Sequence, residues 1–283
     1  MITLASDFGA PYPAAMKGVL LRRTDARLVD IGHDFPRQDV RAAAFWLREV
    51  LPYFPPAVHL VVVDPGVGTD RDALVVRAGD HALVGPDNGV LLPAARRLAG
   101  GDPDRLEAYA VDEPRLEPVE PAGDGGTTVS ATALSGSDGP ASATFHGRDV
   151  FAPAAAAVHD ADLDALGDRE WLAPTAFDSD LELPTAEPED GQAIGEVLVV
   201  DGFGNAITNV PGSYLEGREQ ITANGEPVPV AETFAAVPAG KRLATVGSHG
   251  YVELDVNRGR GDEAFGLAAG DRVVLKSVTD TDD

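Results

Sequence analysis

Apolar positions follow two different rhythms along this chain of 283 residues. In the first half, short β-branched runs alternate with longer amphipathic stretches. Residues 2–5 read as a strand that leads into "SDFG", and 14–23 ("AAMKGVLLRR") as a helix. A strand follows in 26–35, then a helix over 39–54 with Asp39 placed to cap its N-terminus. The runs "AVHLVVVD" (57–64) and "DALVVRAG" (72–79) are strands, and "HALVGPDNGVLL" (81–92) ends a strand in a glycine-rich turn before the helical stretch "VLLPAARRLA". This alternation predicts a mostly parallel sheet with helices on its faces, an α/β/α sandwich. Ligands of such sheets sit beyond the carboxyl ends of the strands, and Asp7, Asp64 and Asp87 all fall there.

The second half reads differently. Residues 120–143 are rich in Gly, Ser, Thr and Ala and predict a mobile surface insertion. "TFHGRDVFAPAAAAV" (144–158) restores order, with a helix from about 152. The acidic, proline-rich stretch up to 192 reads as a linker. Beyond it lie short strands with turn signals: 194–210, 218–230, 242–257 and 271–278, with "NG" at 224–225 marking a hairpin. These predict a small antiparallel barrel or sandwich. The expected organisation is an α/β domain over 1–172, a linker over 173–192 and a β domain over 193–283, with no internal repeat.

Charge and composition narrow the classes. The net charge is -24 and the isoelectric point near 4.4. Only Lys17, Lys241 and Lys276 are lysine, so the remaining cations are arginine. A hydrophobic fraction of 44% with well-formed strands argues against disorder. The charge reads as the solvated acidic surface of a salt-adapted protein, or else as an acidic interaction surface. It disfavours nucleic acid, whose phosphates would meet like charge. With no cysteine there is no disulfide framework and no thiolate chemistry. The opening "MITLASDFGAPY" lacks the basic and apolar regions of a signal peptide, and no stretch approaches a membrane span, so a soluble cytoplasmic protein is expected.

Several motifs carry candidate chemistry, each with a plainer reading beside it. "DPGVGTDR" (64–71) lacks the Gly-Lys-Ser/Thr ending of a phosphate loop and the third glycine of a dinucleotide fingerprint. It is either a strand-end turn, with Asp64 capping it and Arg71 on the surface, or a site. His146 precedes a glycine and then Arg148 and Asp149; it is a turn histidine or a proton-handling one. His59 and His81 flank strands and suggest no chemistry. Asp201, Phe203, Asn205 and Asn209 cluster around two glycines. They form a tight turn bonded to its own backbone, or a flat platform with an aromatic to stack on and an amide for a base edge. Ser248, Glu253 and Asn257 line a pocket or face solvent. "GPDNG" (85–89) reads as a turn with Asn88-Gly89 in left-handed geometry.

Taken in order, "SDFG", "VVDPGVGTDR", "GPDNG", "TFHGRDVFAPAAA", "DGFGNAITN" and "GSHGYVEL" closely resemble the S-adenosyl-L-methionine hydroxide adenosyltransferase (SAM hydrolase) family. That family belongs to the superfamily of the SAM-dependent fluorinases and chlorinases. The resemblance spans about 1–270 apart from the insertion. It implies an N-terminal α/β domain, a C-terminal β-barrel, and a homotrimer whose sites lie between the first domain of one subunit and the second of its neighbour. The implied reaction is attack of water-derived hydroxide on C5′ of SAM, giving adenosine and L-methionine.

By the same resemblance the catalytic set falls on Asp64, Arg71 and His146. His146 and Asp64 would orient or deprotonate water, and Arg71 would pair with Asp64 and stabilise developing hydroxide. Asn205 and Phe203 would contact adenine, Ser248 and Glu253 the methionine and adenine ends, and backbone near Arg258 the adenine slot. Asp201 would bind the methionine ammonium or support its loop. The chemistry calls for no cofactor, and no His/carboxylate cluster has metal-ligand spacing. One departure stands out: family members usually carry an Asp between "DFG" and the following Tyr, which holds the ribose, whereas "DFGAPYPAAMKG" has none, so that either Asp7 takes over ribose binding or affinity is weak. The alternatives are a halide-using relative, disfavoured by an Asp at position 64 that would repel an anion, and a non-catalytic adenosine or SAM binder.

Overall fold

The structure, a computed structural model, describes residues 1–116 and 144–278, so the predicted insertion lies outside the described residues. The chain divides into two compact units, Met1–Glu182 and Leu183–Asp283.

The first unit is built on strands β1 (Ile2–Ser6), β2 (Leu28–Gly32), β3 (Val58–Val62), β4 (Ala73–Ala78), β5 (His81–Pro86), β6 (Leu106–Val111) and β7 (Leu172–Pro174). Their order is β2-β1-β3-β5-β4-β6-β7. The first four are parallel, and β4, β6 and β7 extend the sheet in antiparallel pairing. The parallel part is joined by crossovers. The switch of direction comes from a two-residue turn, Gly79-Asp80, in which Gly79 takes φ +59°. Helices α1 (Tyr12–Arg23) and α4 (Ala152–His159) pack one face; α2 (Val40–Val50) and α3 (Leu92–Leu98) pack the other. Both faces are thus covered, which is why β1 and β3 are buried at every position.

Local chemistry sets the ends of these elements. Asp39 caps α2, its carboxylate accepting from Ala42 N at 2.9 Å. The predicted extension to 54 does not form: α2 stops at Val50 and a short 3₁₀ turn over Leu51–Tyr53 follows. Pro52 has no N–H to continue the ladder, which accounts for the stop. In the "GPDNG" turn the left-handed conformation falls on Gly89 alone, with φ +88°, while Asn88 bonds the chain on both sides: its amide donates to Val63 O at 2.9 Å and accepts from Val90 N at 3.1 Å. His59 lies inside β3, fully buried, hydrogen-bonded to Thr3 Oγ1 at 2.8 Å and to His81 at 2.9 Å. Burial, then the neighbouring His81, pushes His59 down to about 3, so it is neutral structure.

The second unit holds β8 (Gln192–Val200), β9 (Ala206–Pro211), β10 (Gln220–Ala223), β11 (Glu226–Pro229), β12 (Arg242–Val246), β13 (Tyr251–Val256), a short helix α5 (Gly261–Phe265) and β14 (Arg272–Ser277). The sheet order β11-β10-β14-β8-β9-β13-β12 is antiparallel throughout. A bridge from Val230 to Ala244 brings the two edges together, giving a nearly closed barrel. The "NG" hairpin forms as read, with Asn224 at φ +50° and Gly225 at +89°. Alternate residues of the strands, among them Val197, Val210, Val252, Leu254, Val273 and Leu275, fill the barrel core.

Candidate active site

At the end of β3 the fully apolar run stops at Val63, and the next side chain, Asp64, is 4% exposed. The loop that follows folds back through Gly68, with φ +80°, and Thr69 Oγ1 donates to Gly66 O at 2.7 Å. This return places Arg71 against Asp64. Arg71 Nε donates to Asp64 Oδ1 at 2.7 Å, and Nη2 donates to Oδ2, a bidentate fork. The same Nη2 lies 3.2 Å from His146 Nδ1. Because the guanidinium can only donate, Nδ1 accepts and the ring proton sits on Nε2. Beneath, the guanidinium rests 5.1 Å from the centre of the Phe151 ring.

His146 arrives from a segment distant in sequence. It precedes a π-helical turn, Gly147–Phe151, that leads into α4. A Cβ at Gly147 would lie 2.9 Å from Met16 Sδ and 3.3 Å from Val62 Cγ1. Only glycine lets this turn seat on the end of β3, and that seating carries His146, 7% exposed, to Arg71. Arg148 is committed elsewhere, donating twice to buried Asp149 at 2.6 and 2.8 Å. Phe145, Phe8 and Tyr12 form an edge-to-face trio with centroids 5.5–6.1 Å apart, which sets the segment after β1 beside the His146 turn. Nothing in the sequence pattern marked this trio or Phe151; aromatic residues gain such meaning only from their partners.

Asp7 ends β1 but its Oδ2 accepts from Gln38 N at 2.6 Å, holding a turn in which Gln38 takes φ +61°. Asp87, at the end of β5, binds Asp178 N at 3.0 Å and so fixes the chain leaving the unit.

The second unit gathers the remaining candidates. In the 201–205 turn, Asp201 Oδ1 accepts from Phe203 N and Asn205 N, both at 2.9 Å, and Oδ2 accepts from the Asn205 amide at 3.0 Å. Asp201 therefore supports its loop. The Phe203 ring is left 82% exposed. Asn209 is structural, accepting from Glu196 N at 2.8 Å, and Asn257 donates to Val237 O at 2.7 Å. Ser248 is exposed in the turn between β12 and β13, and Arg258 is exposed with φ +57°. Glu253 on β13 is 7% exposed. Burial, then the charge of Asp201, pushes Glu253 up to about 7. Two positions on, Asp255 is wholly buried and both its carboxylate oxygens lack a hydrogen-bond partner. It is pushed up to about 8 by burial, then by Glu253 and Asp201. Nothing in the alternation of "YVELDV" marks Asp255 as buried, and the sequence did not single it out. Among the described residues no group of three or more His, Asp or Glu is arranged to hold a metal ion.

Residues 2–167 match the model for the SAM hydroxide adenosyltransferase N-terminal domain, and 195–274 the model for its C-terminal domain. The chain belongs to the SAM hydroxide adenosyltransferase family. It is 44% identical to a protein of Thermus thermophilus named (R)-S-adenosyl-L-methionine hydrolase, over 94% of this chain and 95% of that one. A Salinispora tropica protein of the same name is 39% identical, over 96% of both. Among solved structures, an uncharacterized conserved protein from Thermotoga maritima superposes with a TM-score of 0.76 at 30% identity, covering 98% of this chain and all of that one. A conserved hypothetical protein from Thermus thermophilus gives 0.69 at 36%, covering 98% and 99%. As a family member the chain pairs the α/β fold and the barrel that its motifs imply.

Proposed function

We propose that the chain hydrolyses S-adenosyl-L-methionine to adenosine and L-methionine. The observation that carries this reading is the Asp64–Arg71–His146 constellation at the end of β3, in a chain of this family. The sulfonium is an excellent leaving group: as the C5′–O bond forms, the C5′–S pair returns to sulfur and cancels its positive charge. The protein has to supply an oriented water in a sheltered place, a contribution of about 7–11 kcal/mol where the geometry is right. With Nδ1 facing Arg71, His146 presents Nε2–H to orient that water, and Asp64 is the carboxylate that accepts its proton. Arg71 fixes both and offsets the developing negative charge. Phe203 offers an exposed ring for adenine to stack on, with Asn205 at the base edge; Ser248, Glu253 and Arg258 complete the contacts, and Asp7 serves the ribose.

SAM is the substrate here and no cofactor enters the reaction. The same reading carries a cytoplasmic homotrimer in which the α/β unit of one subunit and the barrel of the next share each ligand; sedimentation gives the oligomeric state. A halide-transferring reading is not favoured, because Asp64 would repel the anion.

The test is chromatographic identification of the product from SAM in molar salt, with and without chloride. Adenosine and methionine are expected in both. SAM bound without adenosine release would make the chain a binding protein, and 5′-chloro-5′-deoxyadenosine would make it a halogenase.

A further inference from the structure

The "GPDNG" turn (85–89) is outside the catalytic set, yet it bonds both ends of the catalytic loop. In the first unit β5 lies between β3 and β4, parallel to β3 and antiparallel to β4, so the chain leaving β3 crosses the end of β5 to enter β4. Residues 64–72 make that crossing, and the two feet of the arch stand two strand spacings apart, about 10 Å. The turn after β5 sits between those feet. On one side Asn88 Nδ2 donates to Val63 O at 2.9 Å. On the other, Asp87 N donates to Asp72 O at 3.0 Å, and the same carbonyl accepts from Arg71 Nη1 at 3.3 Å.

Asn88 does two separable things with one side chain. Its Oδ1 accepts from Val90 N at 3.1 Å, an Asx turn that an aspartate would make equally well. The amide nitrogen is not needed for that turn. It holds instead the carbonyl of the Val63–Asp64 peptide, and because that unit is planar, the bond sets the direction in which Asp64 leaves the strand. The arch contains Gly66 and Gly68, the latter at φ +80°, and is too compliant to fix the separation of its own ends. The turn is stiff by comparison. A Cβ at Gly85 would lie 2.5 Å from Val61 O, so the end of β5 seats directly against β3, and Asp87 Oδ2 accepts from Asp178 N at 3.0 Å.

Resting on the reading of Asp64, Arg71 and His146 as the hydrolytic set, we propose that Asn88 is a positioning residue for the reaction. Its amide, together with the backbone N–H of Asp87, sets the span of the 64–72 arch, so that the Asp64–Arg71 fork and its contact with His146 are in place before substrate arrives. Asn88 is not among the reacting groups. It acts through Val63 on the carboxylate, while Asp87 acts through Asp72 on the guanidinium. A looser arch lets the fork turn as a unit, and Arg71 Nη2 then moves away from His146 Nδ1, 3.2 Å distant in the clamped loop. The ring thereby loses the partner that keeps its proton on Nε2. Misplacing a water-orienting group by about 1 Å costs on the order of 10²-fold in rate, so the clamp bears on kcat more than on affinity.

Two variants separate the clamp from the turn. Asn88→Asp keeps the turn's acceptor and removes the donor; Asn88→Ala removes both without setting a carboxylate against Val63 O. In the full-length chain with SAM in molar salt, each should lower kcat by roughly 10- to 100-fold with KM little changed. Asn224→Asp, which keeps an acceptor for Val274 N in a hairpin of the second unit, is the control and should retain wild-type kcat. NMR of the histidine ring nitrogens, with His146 assigned by its loss in His146→Gln, reads the clamp without any turnover. The wild-type chain should show the single Nε2–H tautomer, and both Asn88 variants a mixture. Circular dichroism establishes that each variant is folded at the assay temperature, and Asn88→Ala decides if Asn88→Asp does not fold. Wild-type kcat in folded Asn88→Ala, a raised KM at unchanged kcat, or an unaltered His146 tautomer in the variants overturns the proposal. If the wild-type chain binds SAM and releases no adenosine, the hydrolase reading falls and the tautomer alone decides the clamp. Adenosine release at the wild-type rate in both variants removes the clamp alone.

Discussion

Arg71 acts through the shape of its guanidinium as much as through its charge. One group spans both oxygens of Asp64 and reaches His146 Nδ1 while its face rests on Phe151. A lysine ammonium is a point charge on a flexible stem and cannot hold that fork. Arg71→Lys should therefore lower kcat by about 10²-fold with a smaller change in KM, the order seen when one preorganised donor is lost. Steady-state kinetics checks this, and a rise in KM at unchanged kcat would show that Arg71 serves binding instead. Gly147 tests the same assembly from behind. Gly147→Ala forces a methyl against Met16 and Val62, so it should cost about 1–3 kcal/mol in unfolding free energy by denaturant titration and lower kcat by displacing His146. Wild-type kcat in a destabilised variant would uncouple the turn from the site.

At the scale of elements, the sequence is most legible where a local rule decides the outcome. Asp39 before an amphipathic run, Asn224-Gly225 between two strands and a β-branched run ending in Asp64 each announce a cap, a hairpin and a strand end, and each forms. Pro52 is also visible, yet the amphipathic pattern runs past it and hides the end of α2. The sheet's change of direction at Gly79-Asp80 is a local turn whose consequence is global. Asp64 and Arg71 are neighbours along the chain, but their pairing with His146 is 75 residues away and depends on Gly147 fitting the end of β3. Alternation in β13 puts Asp255 on the face away from the barrel core but cannot show its burial, because what covers that face comes from the 201–205 turn and α5. Burial raises Asp255 to about 8 and Glu253 to about 7, so the folded chain binds these protons more tightly than the unfolded one. Their stabilising contribution is complete below about pH 4 and is lost as pH rises through about 7 to 8. Asp255→Asn removes the Asp255 part, so its stability relative to wild type should improve by on the order of a few kcal/mol between pH 5 and 8.5. Urea unfolding at several pH values measures it; a difference that does not change with pH would mean Asp255 is not protonated in the fold.

The whole molecule carries 46 acidic against 22 basic residues. Some cations are drawn inside the fold's own needs: Arg97 and Arg48 flank buried Glu49, and Arg71 and Arg148 serve buried carboxylates. Such pairs are close to neutral, so the net charge of -24 rests on the remaining residues, most of them at the surface. Asp25, Asp104, Glu216 and Glu219 are among the exposed acids. Their mutual repulsion opposes the compact state, and it is felt over roughly 10 Å at 0.1 M salt but only about 3 Å at 1 M. The melting temperature should therefore climb as KCl is raised from 0.1 to 2 M, steeply at first. Screening saturates once the Debye length is shorter than the spacing of surface charges, so the gain should level off near molar salt. Replacing those four acids by their amides lowers the repulsion directly and should shrink the salt dependence while raising the melting temperature in 0.1 M KCl. Salt acting instead through exclusion from apolar surface would keep stabilising beyond 1 M and act equally on the amide variant. Thermal unfolding of both chains across the KCl series separates the two mechanisms.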